Sequence, residues 1–170
     1  MNYEYMIINI SFEQMSKEHR AEIIDIFNFY IKNSYSAYPE EKVSYDYYDK
    51  FLEIATNFPA FAIKKSDKII GFCFLNSYNP LSTFKETAVI TYFIDKAYKG
   101  KGIGKIALNH LEAEARSKGI KIILANIASV NKESLVFHSK NGFKKCGEFE
   151  GIIKKNNRQF DIIWMQKTLE

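Results

Sequence analysis

The chain has 170 residues, of which 46% are hydrophobic and 26% are charged, with a formal net charge of +4 at pH 7. This composition is typical of a globular protein and excludes the disordered, collagenous and low-complexity classes. The length fits one domain over residues 1–170. The lysines are scattered along the chain, so the net charge predicts no nucleic-acid partner. It suits an anionic small-molecule ligand, or it serves only to keep the protein in solution.

The two cysteines, Cys73 and Cys146, stand in apolar segments without a C-x-x-C or metal-binding spacing. They predict a reducing, cytoplasmic environment and no metal site. The first ten residues lack the pattern of a signal peptide, and no apolar run is long enough to span a bilayer. We therefore expect a cytoplasmic protein with no membrane partner.

The first half of the chain predicts a strand over Tyr5–Ile10 followed by two amphipathic helices. Ser16 is a candidate N-cap for the first helix and Ser44 for the second, which Pro59 ends. The connection between the helices, residues 33–48, is rich in tyrosine.

Strands and a long helix follow. Apolar runs at Phe61–Lys64 and Ile69–Tyr78, separated by a turn signal, predict an antiparallel hairpin, and Thr87–Ile94 is a further strand. The spacing of apolar residues after Gly102 predicts a helix that ends at Gly119.

The last third predicts a strand over Lys121–Ala128, a short helix over Lys132–Lys140, and strands over Phe143–Phe149 and Gln159–Lys167 around an Asn156-Asn157 turn. The complete order is β-α-α-β-β-β-α-β-α-β-β. Hairpins predict antiparallel pairs, and alternating helices and strands in the second half predict parallel crossovers. We therefore expect a mixed α/β sheet flanked by helices.

The segment 99–105 (Lys-Gly-Lys-Gly-Ile-Gly-Lys) joins a predicted strand directly to a helix. Free N–H groups and the helix dipole at such a junction favour an anion, and glycines let a phosphate approach the main chain. The segment therefore predicts a phosphate site, although a glycine-rich turn without a ligand has the same pattern.

Two other phosphate loops fit less well. A P-loop needs four residues between its glycines and Ser or Thr after its lysine, whereas Gly100 and Gly104 have three between them and Lys105 precedes an isoleucine. A dinucleotide fingerprint is formally present from Gly102 to Ala107, but the next predicted strand carries no acidic residue for a ribose.

Two motifs in the right order carry a family resemblance. The first, Lys99-x-x-Gly102-x-Gly104, resembles the Arg/Gln-x-x-Gly-x-Gly/Ala loop of the GNAT superfamily of N-acetyltransferases. The second resembles that superfamily's Asn-x-x-Ala/Ser-x-x-Leu-Tyr/His-x-Lys-x-Gly-Phe motif and consists of Asn131, Ser134, Phe137, His138, Lys140, Gly142 and Phe143. The resemblance covers roughly residues 5–168 and implies a mixed, mostly antiparallel, V-split sheet and an acetyl-CoA cosubstrate without a metal.

The resemblance also implies where acetyl-CoA binds. It assigns the pyrophosphate to Lys99, Gly100, Lys101, Gly102, Ile103, Gly104 and Lys105. It assigns the pantetheine arm to the main chain of Tyr92, Phe93 and Ile94. Asn131 would contact the arm near the thioester, and Ser134, Phe137 and Lys140 belong to the same expected site.

His138 and the ending Asp161-Ile-Ile-Trp164-Met-Gln-Lys167 resemble the phosphinothricin-acetyltransferase-like branch, which acetylates small amines. That branch commonly has a catalytic glutamate where this chain has Val89. His138 is our candidate general acid, with a histidine at the surface or at the edge of the core as the alternative. The base is Glu86, Tyr92 acting through water, or no side chain. In a regular strand, however, Glu86 would point to the face opposite that of Val89.

Tyr35 and Tyr38 are the candidate substrate residues, because they fall where the superfamily closes its acceptor pocket; helix packing or dimer contacts are the alternative. The leading function is transfer of an acetyl group to the primary amine of a small molecule, such as an amino-acid analogue. Alternatives are a protein or peptide N-acetyltransferase and a non-catalytic acyl-CoA sensor. A homodimer is expected by analogy with relatives.

Overall fold

A computed structural model describes residues 9–169, and the predicted strand at Tyr5–Ile10 lies almost entirely outside them. The first described strand, at Ile10–Gln14, follows the predicted one, and from the first helix onward the order of elements is the one that the sequence predicts. The elements are β1 (Ile10–Gln14), α1 (Arg20–Asn33), α2 (Tyr48–Asn57), β2 (Ala60–Lys65), β3 (Lys68–Ser77), β4 (Thr87–Ile94), α3 (Ile103–Ser117), β5 (Ile122–Ala128), α4 (Lys132–Lys140), β6 (Lys144–Lys155) and β7 (Arg158–Thr168).

The seven described strands form one sheet in the order β1-β2-β3-β4-β5-β7-β6. Of its pairs, β4 with β5 is parallel and the other five are antiparallel. The expected parallel crossover is therefore confirmed for β4-α3-β5, whereas β5 meets β7 antiparallel because the β6–β7 hairpin folds back against it. The mixed, mostly antiparallel α/β class is confirmed.

The central pair of strands separates soon after it begins. β4 and β5 pair only at Thr87 with Ile122, Ala88 with Ile123, and Val89 with Leu124. β4 continues to Ile94 along β3, while β5 continues along β7. The sheet therefore opens into a V beyond Val89, as the resemblance implied.

Helices cover both faces of the sheet. One core cluster includes Leu108 and Leu111 of α3 against Ile123 of β5, all fully buried. The other includes Ile24 of α1 and Phe72 of β3, also fully buried. Burying each such side chain contributes about 1.5–3 kcal/mol, so the helices are held firmly on both sides of the split.

β6 is longer than the sequence predicts, since it runs to Lys155 and contains two register shifts against β7. The extension passes through Gly151, whose positive φ of 59° suits glycine. Gly151 N donates to Asp161 Oδ1 at 2.8 Å, and Gln159 Nε2 donates to Gly151 O at 2.8 Å. Side chains of β7 thus carry β6 past the irregularity. No helix within residues 9–169 has the length and apolar character to cross a membrane.

Candidate active site

A cavity of about 1770 Å³ occupies the opening between β4 and β5. Its walls come from both strands, the N-terminus of α3, one side of α4, and the α1–α2 connection. Pockets for a single small ligand are usually about 300–1000 Å³. This cavity is large enough for an extended ligand together with a second molecule.

The α3 end of the cavity is built for an anion. Within residues 9–169, the five consecutive N–H groups from Gly100 to Gly104 donate to no protein acceptor, whereas the N–H groups of Lys105 and Ile106 bond to Gly102 O. Gly102 takes a left-handed conformation with φ 79°, and a Cβ built on it would meet nothing within 4 Å. These exposed donors and the helix dipole favour a phosphate group.

Three lysines surround this loop in different ways. Lys99 Nζ is 2.8 Å from Glu133 of α4, and this lysine holds the pKa of the Glu133 carboxyl below its usual value. Lys101 lies over the ring of Tyr98, outside the cavity lining. Lys105 lines the cavity. The main-chain donors are therefore the centre of the anion site, and the lysines add charge at its edge.

The free edge of β4 offers backbone groups along the cavity. Asp95 N donates to Ile70 O, and bonded and non-bonded pairs alternate along an antiparallel ladder. Tyr92 and Cys73 are therefore a pair without hydrogen bonds between them. The N–H and C=O of Tyr92 point away from β3, into the split. The backbone of Phe93 bonds toward β3 instead, and Ile94 O already accepts the Tyr30 hydroxyl at 2.5 Å.

Tyr92, which is half-buried, and His138, which is buried, form a hydrogen-bonded pair in the cavity wall. The Tyr92 hydroxyl is 2.6 Å from His138 Nε2, and His138 Nδ1 is 2.8 Å from Ser134 O. A carbonyl oxygen only accepts, so Nδ1 carries the imidazole proton and Nε2 accepts from Tyr92. His138 is 4% exposed, which rules out a surface histidine.

Burial fixes the protonation of this pair. Loss of solvent lowers the pKa of His138 below its ordinary value, with the Ser134 carbonyl opposing the shift, and raises the pKa of the Tyr92 phenol. At neutral pH the pair is a phenol beside a neutral imidazole. His138 in this state accepts a proton, so it is not by itself the general acid that the sequence suggested.

Asn131, the N-cap of α4, links α4 to the α1–α2 connection. Asn131 Oδ1 accepts from Ser134 N at 3.3 Å, while Asn131 Nδ2 donates to Ser36 Oγ at 2.9 Å. Phe137 of the same helix lines the cavity beside Gly104. Asn131, Ser134 and Phe137 thus lie in the cavity wall with the Tyr92–His138 pair.

The α1–α2 connection covers the opposite side of the split. The Tyr38 hydroxyl donates to Asn126 Oδ1 of β5 at 3.1 Å, and burial raises the pKa of Tyr38 to about 12. Lys155, fully buried, fixes this connection by donating to the carbonyls of Ile31, Ser34 and Ala37 at 2.7, 2.9 and 2.6 Å.

Four predicted site residues lie outside the cavity lining. Tyr35 packs on Phe160 and under Arg158, and Glu86 is paired with Lys121 on the far side of the β4–β5 junction. Lys140 is exposed at the end of α4, and Lys101 lies on Tyr98. Tyr35 and Glu86 therefore do not line the cavity in which the other predicted site residues meet.

Sequence reasoning missed Asn126 and Lys155 as functional residues. Asn126 had a signal, because it is the polar residue of an otherwise apolar strand. Lys155 had none. The acidic residues in the described lining are Glu53 and Glu133, neither beside Tyr92 or His138, and residues 9–169 contain no His/Cys/Asp/Glu cluster suited to a metal.

Comparison with known proteins agrees with this geometry. The model of a family described as acetyltransferase (GNAT) domain matches residues 15–164. L-amino acid N-acyltransferase MnaT of Escherichia coli K12 is 24% identical over 152 residues, 88% of each chain. An L-methionine sulfoximine/L-methionine sulfone acetyltransferase of Salmonella typhimurium is 24% identical over 88% of this chain and 89% of its own.

Solved structures have the same fold. An N-acetyltransferase from Staphylococcus aureus Mu50 superimposes with a TM-score of 0.88 at 25% identity, over 95% of this chain and 99% of that one. A GNAT superfamily phosphinothricin acetyltransferase from Sinorhizobium meliloti, solved in complex with AcCoA, gives 0.88 at 21% identity, over 95% and 89%. Because the family match takes in the split of the sheet, the glycine loop and the α4 motif, this chain belongs to the GNAT acetyltransferase family and is an N-acetyltransferase.

Proposed function

We propose that the chain transfers the acetyl group of acetyl-CoA to the primary amine of a small, amino-acid-like molecule in the cavity between β4 and β5. The observation that carries the proposal is the continuity of this cavity, which extends from the five free N–H groups at the start of α3, along the open edge of β4, to the cover formed by the α1–α2 connection.

Each part of acetyl-CoA has a suitable partner along this path. The pyrophosphate fits the N–H groups of Gly100 to Gly104, with Lys99 and Lys105 beside it. The amides of the pantetheine arm can pair with the N–H and C=O of Tyr92 as an added strand does at a sheet edge. The thioester would then lie toward Val89, where the two strands rejoin.

The acceptor would enter between the α1–α2 connection and the sheet. Tyr38 and Asn126 are joined there, and the Asn126 Nδ2 donates to no group of the described protein, so it is available to a polar acceptor group. Lys50 also lines the cavity and forms no ion pair within residues 9–169. A cation near the acceptor suits a carboxylate, and the relatives named above act on amino acids or their analogues.

The cover over the split favours a small acceptor over a protein chain. Lys155, Tyr38 and Ser36 tie the α1–α2 connection to β6, β5 and α4. A peptide substrate would need an open groove at this place.

The free thiol of Cys146, which is exposed, suits a reducing compartment, and we propose a cytoplasmic location. Homodimerisation is part of the same proposal and can be measured by sedimentation.

The proposal is tested by release of free CoA from acetyl-CoA in the presence of L-amino acids, methionine sulfone, phosphinothricin, polyamines and short peptides. Binding of acetyl-CoA is measured separately by calorimetry. We expect turnover with the amino-acid class and a higher KM for its members in Lys50→Gln, with Lys42→Gln as the exposed-lysine control. Tight coenzyme binding without turnover on any amine would refute transfer and support an acyl-CoA sensor.

A further inference from the structure

We propose that the Tyr92 hydroxyl is the catalytic group that carries the proton from the amine to the departing sulfur, with His138 as the positioning residue that holds a proton in transit. This inference rests on the proposed acetyl transfer in the β4–β5 cavity. It replaces the separate acid and base that the sequence suggested with one hydrogen-bonded pair.

The position of Tyr92 in the split supports this role. Its backbone N–H and C=O face the path of the pantetheine arm, and its side chain belongs to the α3–α4 side of the sheet with Ile90 and Ile94. Val89, where the strands rejoin, is three residues away. The hydroxyl therefore lies in the cavity wall on the α3–α4 side of this edge, together with His138.

The acidic side chains and the other hydrogen-bonded tyrosines of the described cavity are poorly placed for proton transfer at this point. Glu133 is held by Lys99 at the pyrophosphate end, and Glu53 is exposed on α2. Valine stands at position 89, where the resemblance called for a glutamate. Tyr38 and Tyr30 are bonded to Asn126 and to Ile94 O. Apart from the Lys99–Glu133 pair at the pyrophosphate end, the Tyr92–His138 pair is the one place in the described lining where two titratable side chains are hydrogen-bonded to each other.

The direction of the hydrogen bonds sets the order of proton movements. The amine nitrogen bonds to the thioester carbon and gives a proton to the Tyr92 oxygen, while the Tyr92 proton moves to His138 Nε2. When the carbon–sulfur bond breaks, the Nε2 proton returns to the phenol oxygen and the phenol proton passes to sulfur. Nitrogen loses one proton, sulfur gains one, and both residues end as they began.

Burial is the main influence on the pKa of His138, because no charged side chain of the described residues contacts its imidazole ring. Phe137 of α4, Phe143 after it, and Tyr92 of β4 contact the imidazole, and none of them is charged. Lys167 Nζ lies 6.0 Å from the centre of the Phe143 ring and is itself paired with Glu112. Proton transfer requires neutral His138, so kcat falls as pH decreases through a His138 pKa that lies below the ordinary histidine value.

The test compares Tyr92→Phe, His138→Gln and the double variant in single turnovers with the best acceptor found above. Glutamine can accept the Tyr92 hydrogen bond but cannot hold a proton, so it separates a structural role from a chemical one. We expect each single variant to lower kcat by about 100-fold, and the double variant to be no slower, because the two residues act as one unit. The acidic limb of the kcat profile should disappear in His138→Gln.

Tyr45→Phe and His110→Gln are matched controls outside the cavity and should keep wild-type kcat. Acetyl-CoA affinity shows that the variants fold. Independent of any variant, the wild-type single-turnover rate in mixtures of light and heavy water should curve with isotope fraction, because two protons move together. Multiplicative losses in the double variant, full activity in His138→Gln, or a linear isotope dependence would overturn the relay. Absence of turnover in the wild type would instead remove the proposed function itself.

Discussion

Replacing Lys155 with methionine removes an ammonium group that donates to three carbonyls, those of Ile31, Ser34 and Ala37, at 2.6–2.9 Å. Methionine has a similar length, so the principal loss is polar. Leaving a buried acceptor without a donor costs about 1–3 kcal/mol. Loss of the desolvated charge returns part of that cost, so we take the lower figure for each carbonyl and expect a total of about 3 kcal/mol.

The effect is measurable by urea unfolding and by thermal denaturation, where about 3 kcal/mol corresponds to a decrease of roughly 6–12 °C for a chain of this size. Lys154→Met is the matched control, because Lys154 is adjacent in β6 and exposed. The KM of the acceptor should also rise, since Lys155 fixes the connection that carries Tyr38. A Lys155→Met protein within 0.5 kcal/mol of the wild type would refute the inference that these bonds hold the cover.

Three further predictions follow from the site and the core. Gly102→Ala forces a side chain into the left-handed region, so the acetyl-CoA Kd should rise and unfolding free energy should fall by about 1–2 kcal/mol; an unchanged calorimetric Kd would contradict the role of the loop. Tyr38→Phe removes the bond to Asn126 and should raise the acceptor KM while the coenzyme Kd stays constant in calorimetry; equal changes in both would point to general loss of structure. His110 is stacked on Phe12 with its Nε2 buried and unbonded within residues 9–169, and burial lowers its pKa, so the unfolded chain binds the proton more readily; stability should fall as pH decreases below about 6.5, and this loss should be smaller in His110→Gln when thermal midpoints are compared from pH 7 to 5.

The sequence was sufficient to predict the bounds of an element wherever neighbouring residues determine both of its ends. β4 and α4 have the predicted bounds, because β4 consists largely of β-branched and aromatic residues and α4 lies between the Asn131 cap and an Asn-Gly turn. β6 was underpredicted, since its continuation depends on hydrogen bonds from Asp161 and Gln159 of the neighbouring strand. Those bonds have no signature within β6 itself.

The site divides in the same way. The glycine loop could be predicted, because its donors are consecutive in sequence and belong to one helix start. The two candidate substrate tyrosines, Tyr35 and Tyr38, could not be distinguished, because no periodicity governs a loop. Lys155, more than a hundred residues later, helps to fix the connection so that Tyr38 and not Tyr35 lines the cavity. Tyr92 and His138 are 46 residues apart, and only the packing of α4 on the sheet joins them.

The short pairing of β4 with β5, three residues long, leaves parts of both strand edges without a hydrogen-bonded neighbour in the described part of the chain. Unpaired strand edges normally promote association with other chains, and proteins cover, charge or shorten them. Here two such edges face each other inside the molecule, beneath a connection anchored by a buried lysine. A sequence selected for stability alone would join these strands along their whole length. In this chain the two strands stay apart, and a ligand that pairs with the open edge would take the place of a neighbouring strand. Acetyl-CoA should therefore protect the backbone amides of β4 and β5 from hydrogen exchange.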